Sequence, residues 1–154
     1  MTAGLDHVGV VVSDLDRALG FWHGLVGLPV TGRGEARWPH LSELNGLAGV
    51  TLGWCTLALG TAVLELTAYA GGPPAGTRAG EDEPGRAHVG IVVDDLDELA
   101  GRLRGAGITL RSDGPVRLAA GSYRGWRALY ALDPDGTSVE LFERPGGGTE
   151  ASDG

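Results

Sequence analysis

Two histidines and two glutamates occupy matched places in this 154-residue chain. His7 lies in the run Leu5-Asp6-His7-Val8-Gly9-Val10-Val11-Val12-Ser13-Asp14-Leu15-Asp16, and His88 in Ala87-His88-Val89-Gly90-Ile91-Val92-Val93-Asp94-Asp95-Leu96-Asp97. His7 aligns with His88, Asp14 with Asp95 and Leu15 with Leu96, all at one constant offset. Glu65 and Glu140 each sit in the last apolar run of their copy. A carboxylate inside such a run must be paired, coordinated or functional, because burying it alone is expensive. A single histidine at a strand start is ordinarily just a hydrogen-bonded residue, and a single strand glutamate ordinarily faces solvent. Recurrence of both types in both copies instead favours one divalent ion such as Ni, Co, Zn, Mn or Fe. Two carboxylates neutralise its charge. Octahedral coordination then leaves two positions for water or substrate oxygens, as a catalytic site requires.

These residues need elements to position them. Residues 5–12 are valine-rich and read as a strand. Period-two geometry puts His7, Gly9 and Val11 on one face and Val8, Val10 and Val12 on the other. Ser13 or Asp14 can cap a helix whose apolar positions are Leu15, Ala18, Leu19, Trp22 and Val26; Gly27 and Pro29 end it. Residues 28–49 read as a strand followed by an irregular loop containing Glu35, Arg37, Trp38, His40, Glu43 and Asn45. Such a loop can face substrate, or it can be a solvated connection with a few anchors. Residues 50–59 and 62–69 form a hairpin about Gly60-Thr61. The second copy predicts a strand at 87–93, a helix from about 95 to 105, a strand at about 107–112 and a loop through Gly125. A final hairpin, 126–132 and 137–143, turns on Asp133-Pro134-Asp135-Gly136. Each copy reads β-α-β-β-β. The expected class is α+β, two tandem βαβββ modules: module 1 about 4–70, a Gly/Pro-rich linker about 71–86, module 2 about 87–144 and a flexible tail at 145–154.

Composition narrows the function. The net charge of −8 argues against nucleic-acid binding, which needs clustered cations. No apolar run can span a bilayer and no basic start precedes a signal core, so a cytoplasmic protein without a membrane partner is expected. The one cysteine, Cys55, excludes an internal disulfide and reads as a core residue rather than a nucleophile. His23 reads as a helix-surface residue, and His40 stays open between site and surface.

The chain resembles the vicinal oxygen chelate superfamily, the group of glyoxalases, bleomycin-resistance proteins and extradiol dioxygenases. The resemblance rests on Leu5 to Ala18, on Gly27-Leu28-Pro29-Val30, on Ala87 to Asp97, and on Asp133-Pro134-Asp135-Gly136-Thr137-Ser138-Val139-Glu140-Leu141-Phe142. It covers residues 4–144. It implies that the two modules form a cup-shaped mixed sheet around a metal, with helices outside. His7, His88 and Glu140 match the family's metal ligands, and Glu65 matches the fourth ligand position. Drug-sequestering members generally lack this set, and fosfomycin-resistance members lack the equivalent of Glu65. The full set is most similar to the glyoxalase I and methylmalonyl-CoA epimerase branch.

The expected function is therefore a metal-dependent isomerase or lyase. It would move a proton next to a carbonyl of a small substrate chelated to the ion. Glu140 or Glu65 would act as base, with Glu43 in reserve. Trp38, His40, Tyr123 and Arg127 are the expected substrate contacts. Two modules could complete the site within one chain or across a dimer, and a homodimer is expected. The alternatives are a natural-product binding protein of the bleomycin-resistance type, using Trp38, Trp54 and Trp126, and an Fe(II) dioxygenase.

Overall fold

The computed structural model describes residues 4–36, 44, 46–47, 49–70, 85 and 87–146. The chain divides into two compact units, Met1–Thr77 and Arg78–Gly154. The expected linker, Gly85 aside, and the tail from 147 onward lie outside the described residues.

The first unit runs β1 (His7–Val11), α1 (Leu15–Leu19) continuing as π-helical turns (Gly20–Leu25), β2 (Val30–Ala36), β3 (Thr51–Leu59) and β4 (Ala62–Ala70). Its sheet has the order β1-β4-β3-β2, with β1 and β4 parallel and the other pairs antiparallel. The second unit runs β5 (His88–Val92), α2 (Leu96–Gly105), β6 (Val116–Arg117), β7 (Arg127–Leu132) and β8 (Ser138–Glu143). Its order, β5-β8-β7-β6, repeats the first. Both units are thus βαβββ, and the α+β class is observed.

Local chemistry explains the repeat. Asp14 and Asp95 are N-caps, and their carboxylates accept from the Arg17 and Glu98 amides at 2.8 Å. Each cap is worth about 1 kcal/mol. On α2, Leu96, Leu99, Ala100 and Leu103 are buried at helical spacing. They meet Val89, Ile91, Leu129, Val139 and Leu141, the buried alternate positions of the sheet. Full burial of each large side chain contributes about 1.5–3 kcal/mol. The first unit does the same with Phe21, Trp22, Val10, Leu57, Leu64 and Leu66. Cys55 is fully buried in that core, as its setting in the sequence implied.

Two expectations changed. The first helix was expected to stay α-helical to about Val26, but it widens at Gly20, and Val26 N–H donates to Phe21 O five residues back. Gly20 and Gly24 weaken the α-helix there. Phe21 and Trp22 both become buried, edge-to-face at 5.2 Å. The strand expected at 107–112 is reduced to one bridge, Leu110 with Ala131. The chain then breaks at Ser112–Pro115, where the Ser112 hydroxyl donates to Gly114 O at 2.8 Å, and pairs with β7 again only as β6. Pro115 has no N–H to offer a ladder.

Candidate metal centre

Strand alternation gives each sheet one face packed on its helix and one open face. In the first unit the open face carries His7, Gly9 and Val11 of β1 beside Val63, Glu65 and Thr67 of β4. Thr56 and Trp54 of β3 pair with Glu65 and Thr67 and share that face. In the second unit His88, Gly90 and Val92 of β5 lie beside Ser138, Glu140 and Phe142 of β8. Tyr130 of β7 pairs with Glu140.

Each unit brings its histidine to its glutamate. His7 Nε2 lies 3.4 Å from Glu65 Oε2, and His88 Nε2 lies 3.1 Å from Glu140 Oε2. Both histidines are half exposed (46% and 49%), while the glutamates are more covered (30% and 18%). Ligand bonds of about 2.1 Å at a right angle place two donor atoms roughly 3.0 Å apart, close to both separations. A neutral imidazole nitrogen beside a carboxylate oxygen is also a suitable donor pair for a divalent transition ion. The donor set and spacing therefore fit the implied metal. Among the described residues no group of three or more His, Cys, Asp or Glu is placed to hold a metal ion.

The two pairs differ in support. His7 Nδ1 donates to Asp6 Oδ2 at 2.8 Å. The carboxylate can only accept, so in the neutral ring Nε2 carries the lone pair and points it at Glu65. That hydrogen bond raises the His7 pKa above its ordinary value; slight desolvation works against it and the Glu65 charge adds to it. The residue before His88 is Ala87, which offers no such group. His88 instead meets the Tyr130 ring edge-on, centroids 5.7 Å apart. Sequence reading missed Asp6 and Tyr130. Adjacency to His7 was a visible signal for Asp6, whereas Tyr130 emerges only from the β7–β8 register.

The remaining site expectations divide. Trp38, His40 and Glu43 lie outside the described residues. Tyr123 stacks on Phe142, centroids 5.1 Å apart, and so joins the open face of the second unit. Arg127 must be corrected. It pairs with Glu143, not Glu140, and its guanidinium binds Glu143 Oε1 at 3.3 Å and Asp97 Oδ1 at 2.7 Å. Alternation puts it on the helix side, where it fastens α2 to the sheet. Those two carboxylates hold its pKa above the ordinary arginine value. Burial pushes the Cys55 thiol up, as expected of a core cysteine.

A cavity of roughly 280 Å³ lies on the helix side of the first unit's sheet, among Asp14, Asp16, Arg33, Glu35, Gly53 and Ala68. Arg33 and Asp16 close one wall with an ion pair of 2.7 Å. None of the described site residues lines it.

Comparison with known proteins identifies the family. The family model "Glyoxalase/Bleomycin resistance protein/Dioxygenase superfamily" matches residues 4–141. Glutathione transferase FosA of Serratia marcescens is 31% identical over 145 residues, covering 92% of this chain and 81% of that protein. A glyoxalase family protein from Bacillus cereus matches in structure with a TM-score of 0.82 at 25% identity, over 95% of this chain and 97% of the other. The trypanothione-dependent glyoxalase I of Leishmania major matches with a TM-score of 0.61 at 21% identity, over 92% and 87%, which speaks for the fold alone. Among the described residues no helix is long and apolar enough to cross a membrane. With the matched model spanning nearly the whole repeat, the chain belongs to the glyoxalase/bleomycin resistance protein/dioxygenase superfamily.

Proposed function

We propose that this chain is a metal-dependent isomerase or lyase that moves a proton next to a carbonyl of a small oxygenated substrate. The observation that carries the reading is the doubled His–Glu pair, with Nε2–Oε2 separations of 3.4 and 3.1 Å at equivalent strand positions. His7, Glu65, His88 and Glu140 would together hold one divalent ion, within a chain or across a homodimer. Such an ion would supply a Lewis acid for substrate oxygens and so acidify the neighbouring C–H. Glu65 or Glu140 takes up the proton and returns it to the adjacent carbon. Glu140 is the more covered of the two carboxylates, 18% exposed against 30% for Glu65. Asp6 holds His7 in its ligating tautomer. Tyr123 bounds the substrate on one side, and the loop bearing Trp38, His40 and Glu43 remains a candidate from its sequence.

The test has two parts. Elemental analysis after metal supplementation should find about one ion per site, and His7→Ala, His88→Ala or Glu140→Ala should remove most of it without unfolding. Solvent deuterium should then enter a turned-over α-hydroxy-carbonyl, hemithioacetal or 2-substituted acyl thioester. Full metal occupancy in all three variants, or turnover that consumes oxygen, would refute the reading.

The identity with a glutathione transferase favours one second reading, addition of a thiol to an electrophilic small molecule. Glu65 weighs against it, because it completes the ligand set that resembles the isomerase branch. Loss of free thiol from glutathione plus an electrophile, without deuterium exchange in the substrates above, would establish the second reading instead.

A further inference from the structure

We infer that the second unit selects an aromatic acid: a substrate whose oxygens reach Glu140, whose ring lies against the exposed Tyr123 at the edge of the Trp126–Phe142 cluster, and whose far end carries a negative charge for Arg144. The inference rests on the reading of His88 and Glu140 as metal ligands, and it adds the substrate class.

Three groups are laid out along one line. Glu140 and Phe142 are two residues apart on β8, so they share the open face at a spacing of about 6.7 Å. Phe142 also reaches over Gly90, where its Cε2 lies 3.7 Å from the place a Cβ would occupy. The ring is therefore on the same side as His88. Tyr123 stacks on Phe142 with planes 21° apart, and Trp126 stands edge-on to both, centroids 5.2 Å from Tyr123 and 6.1 Å from Phe142. Yet this packed cluster is not sealed: Tyr123 stays 49% exposed, and Val92 on the same face is also 49% exposed. An ordered aromatic platform with open surface beside a candidate metal pair is suited to a planar ligand.

Charge defines the far end. Arg144 follows directly after β8, and its guanidinium carbon lies 5.4 Å from the Trp126 ring centre. Arg124 adjoins Tyr123 in sequence, and Arg117 donates to Gly125 O at 3.3 Å, next to Trp126. Among the described residues neither Arg124 nor Arg144 has a carboxylate partner. The nearby acids are committed elsewhere: Glu143 turns to the helix side and binds Arg127. A cationic rim in a chain of net charge −8 favours an anion at this spot. From Glu140 through Phe142 to Arg144 the order is chelating oxygens, ring, anion.

The probes are 4-carboxymandelate, 4-methylmandelate and lactate. All three offer a hydroxyl beside a carboxylate for chelation, the first two add a ring, and only the first adds a distal charge. Affinities are measured by calorimetry on the full chain, with and without metal, in the parent, Tyr123→Ala and Arg144→Gln, each shown to be folded by its melting curve. We expect 4-carboxymandelate to bind most tightly in the parent. Tyr123→Ala should weaken both aromatic ligands by about 2- to 10-fold and leave lactate unchanged. Arg144→Gln should weaken 4-carboxymandelate several-fold and 4-methylmandelate less than twofold. Equal binding of the three ligands, an unchanged ring preference in Tyr123→Ala, or equal effects of Arg144→Gln on both aromatic ligands would overturn the assignment. So would a lack of detectable binding in both forms. Metal content and the effect of removing metal report separately on the ligand reading, so its failure is distinguishable from failure of the ring and charge preferences.

Discussion

Glu140 and Glu143 stand three residues apart on β8, and their removal should separate metal binding from stability. Alternation points them to opposite faces. The Glu143 carboxylate is 8% exposed; Oε2 accepts from the Leu96 amide at 2.7 Å, and Oε1 accepts from Arg127 Nη1 at 3.3 Å. Glu143→Ala leaves the first amide of α2 without its acceptor and leaves Arg127 with Asp97 alone. A buried hydrogen bond to a charged group contributes about 1.5–3 kcal/mol. The lost ion pair adds less than about 1 kcal/mol, because Arg127 is 26% exposed and solvent screens it. The total, about 2–4 kcal/mol, lowers the melting midpoint by roughly 4–16 °C. Glu143→Gln keeps one acceptor oxygen and should lose about half as much. Glu140→Ala removes a carboxylate whose partner His88 is half exposed, so its stability cost is under about 1 kcal/mol. It should instead lose most bound metal. Scanning calorimetry and elemental analysis on the same samples read both effects. An unshifted midpoint in Glu143→Ala, or metal lost from Glu143→Ala but kept in Glu140→Ala, would refute the face assignment.

Three further outcomes follow from single side chains. Cys55 is fully buried and its thiol pKa is raised, so a thiol reagent should find no reactive group in the folded chain and one after denaturation; rapid native labelling would contradict the packing. Arg127 holds the Asp97 carboxyl below its ordinary value of 3.8, chiefly by a hydrogen bond. A depressed folded pKa gives stability that is present above the unfolded value and lost as pH falls through the folded one. Asp97→Asn should therefore melt slightly below the parent at neutral pH, and the gap should narrow as the pH falls below the ordinary value of 3.8; a gap that does not narrow in acid would show that the charge is not its source. The Ser138 hydroxyl is buried without a hydrogen-bond partner among the described residues. Ser138→Ala should be neutral or gain up to about 1 kcal/mol, and a clear loss in chemical denaturation would mean that the hydroxyl is satisfied by water.

How much was legible in the sequence depended on how local each cause is. The capping aspartates, the hairpin at Gly60 and the Asp133 turn each act within a few residues. Asp133 Oδ1, for example, accepts from the Asp135 and Thr137 amides at 3.0 and 2.7 Å. The His–Glu pairs were legible because period-two alternation fixes faces and the repeat fixes equivalence. Arg127 was misplaced because its face depends on β7–β8 register, which aligns it with Glu143. Its neighbourhood in the glycine-broken loop pointed the other way. The strand expected at 107–112 failed because its apolar residues gave no sign that Ser112 to Pro115 would interrupt the ladder. The π-helical turns depend on how two adjacent aromatics meet a sheet, and no local pattern records that.

The two His–Glu pairs share residue types but not surroundings, and this bears on how one fold can keep a constant pair beside variable neighbours. Gly9 pairs with Glu65, and Gly90 with Glu140. A Cβ built at Gly9 would meet nothing within 4 Å, and one at Gly90 only Phe142 Cε2 at 3.7 Å, so neither glycine is needed to clear its glutamate. The next ring of residues is free to differ. Glu65 is flanked by Thr56 and by Trp54, whose ring covers Gly34 so closely that a Cβ there would come within 2.8 Å of it. Glu140 is flanked by Tyr130 and Phe142. Substitutions at Thr56, Thr67, Tyr130 or Phe142 can therefore reshape what lies beside the donors without moving them, since each occupies an alternate strand position whose backbone bonds do not depend on its side chain.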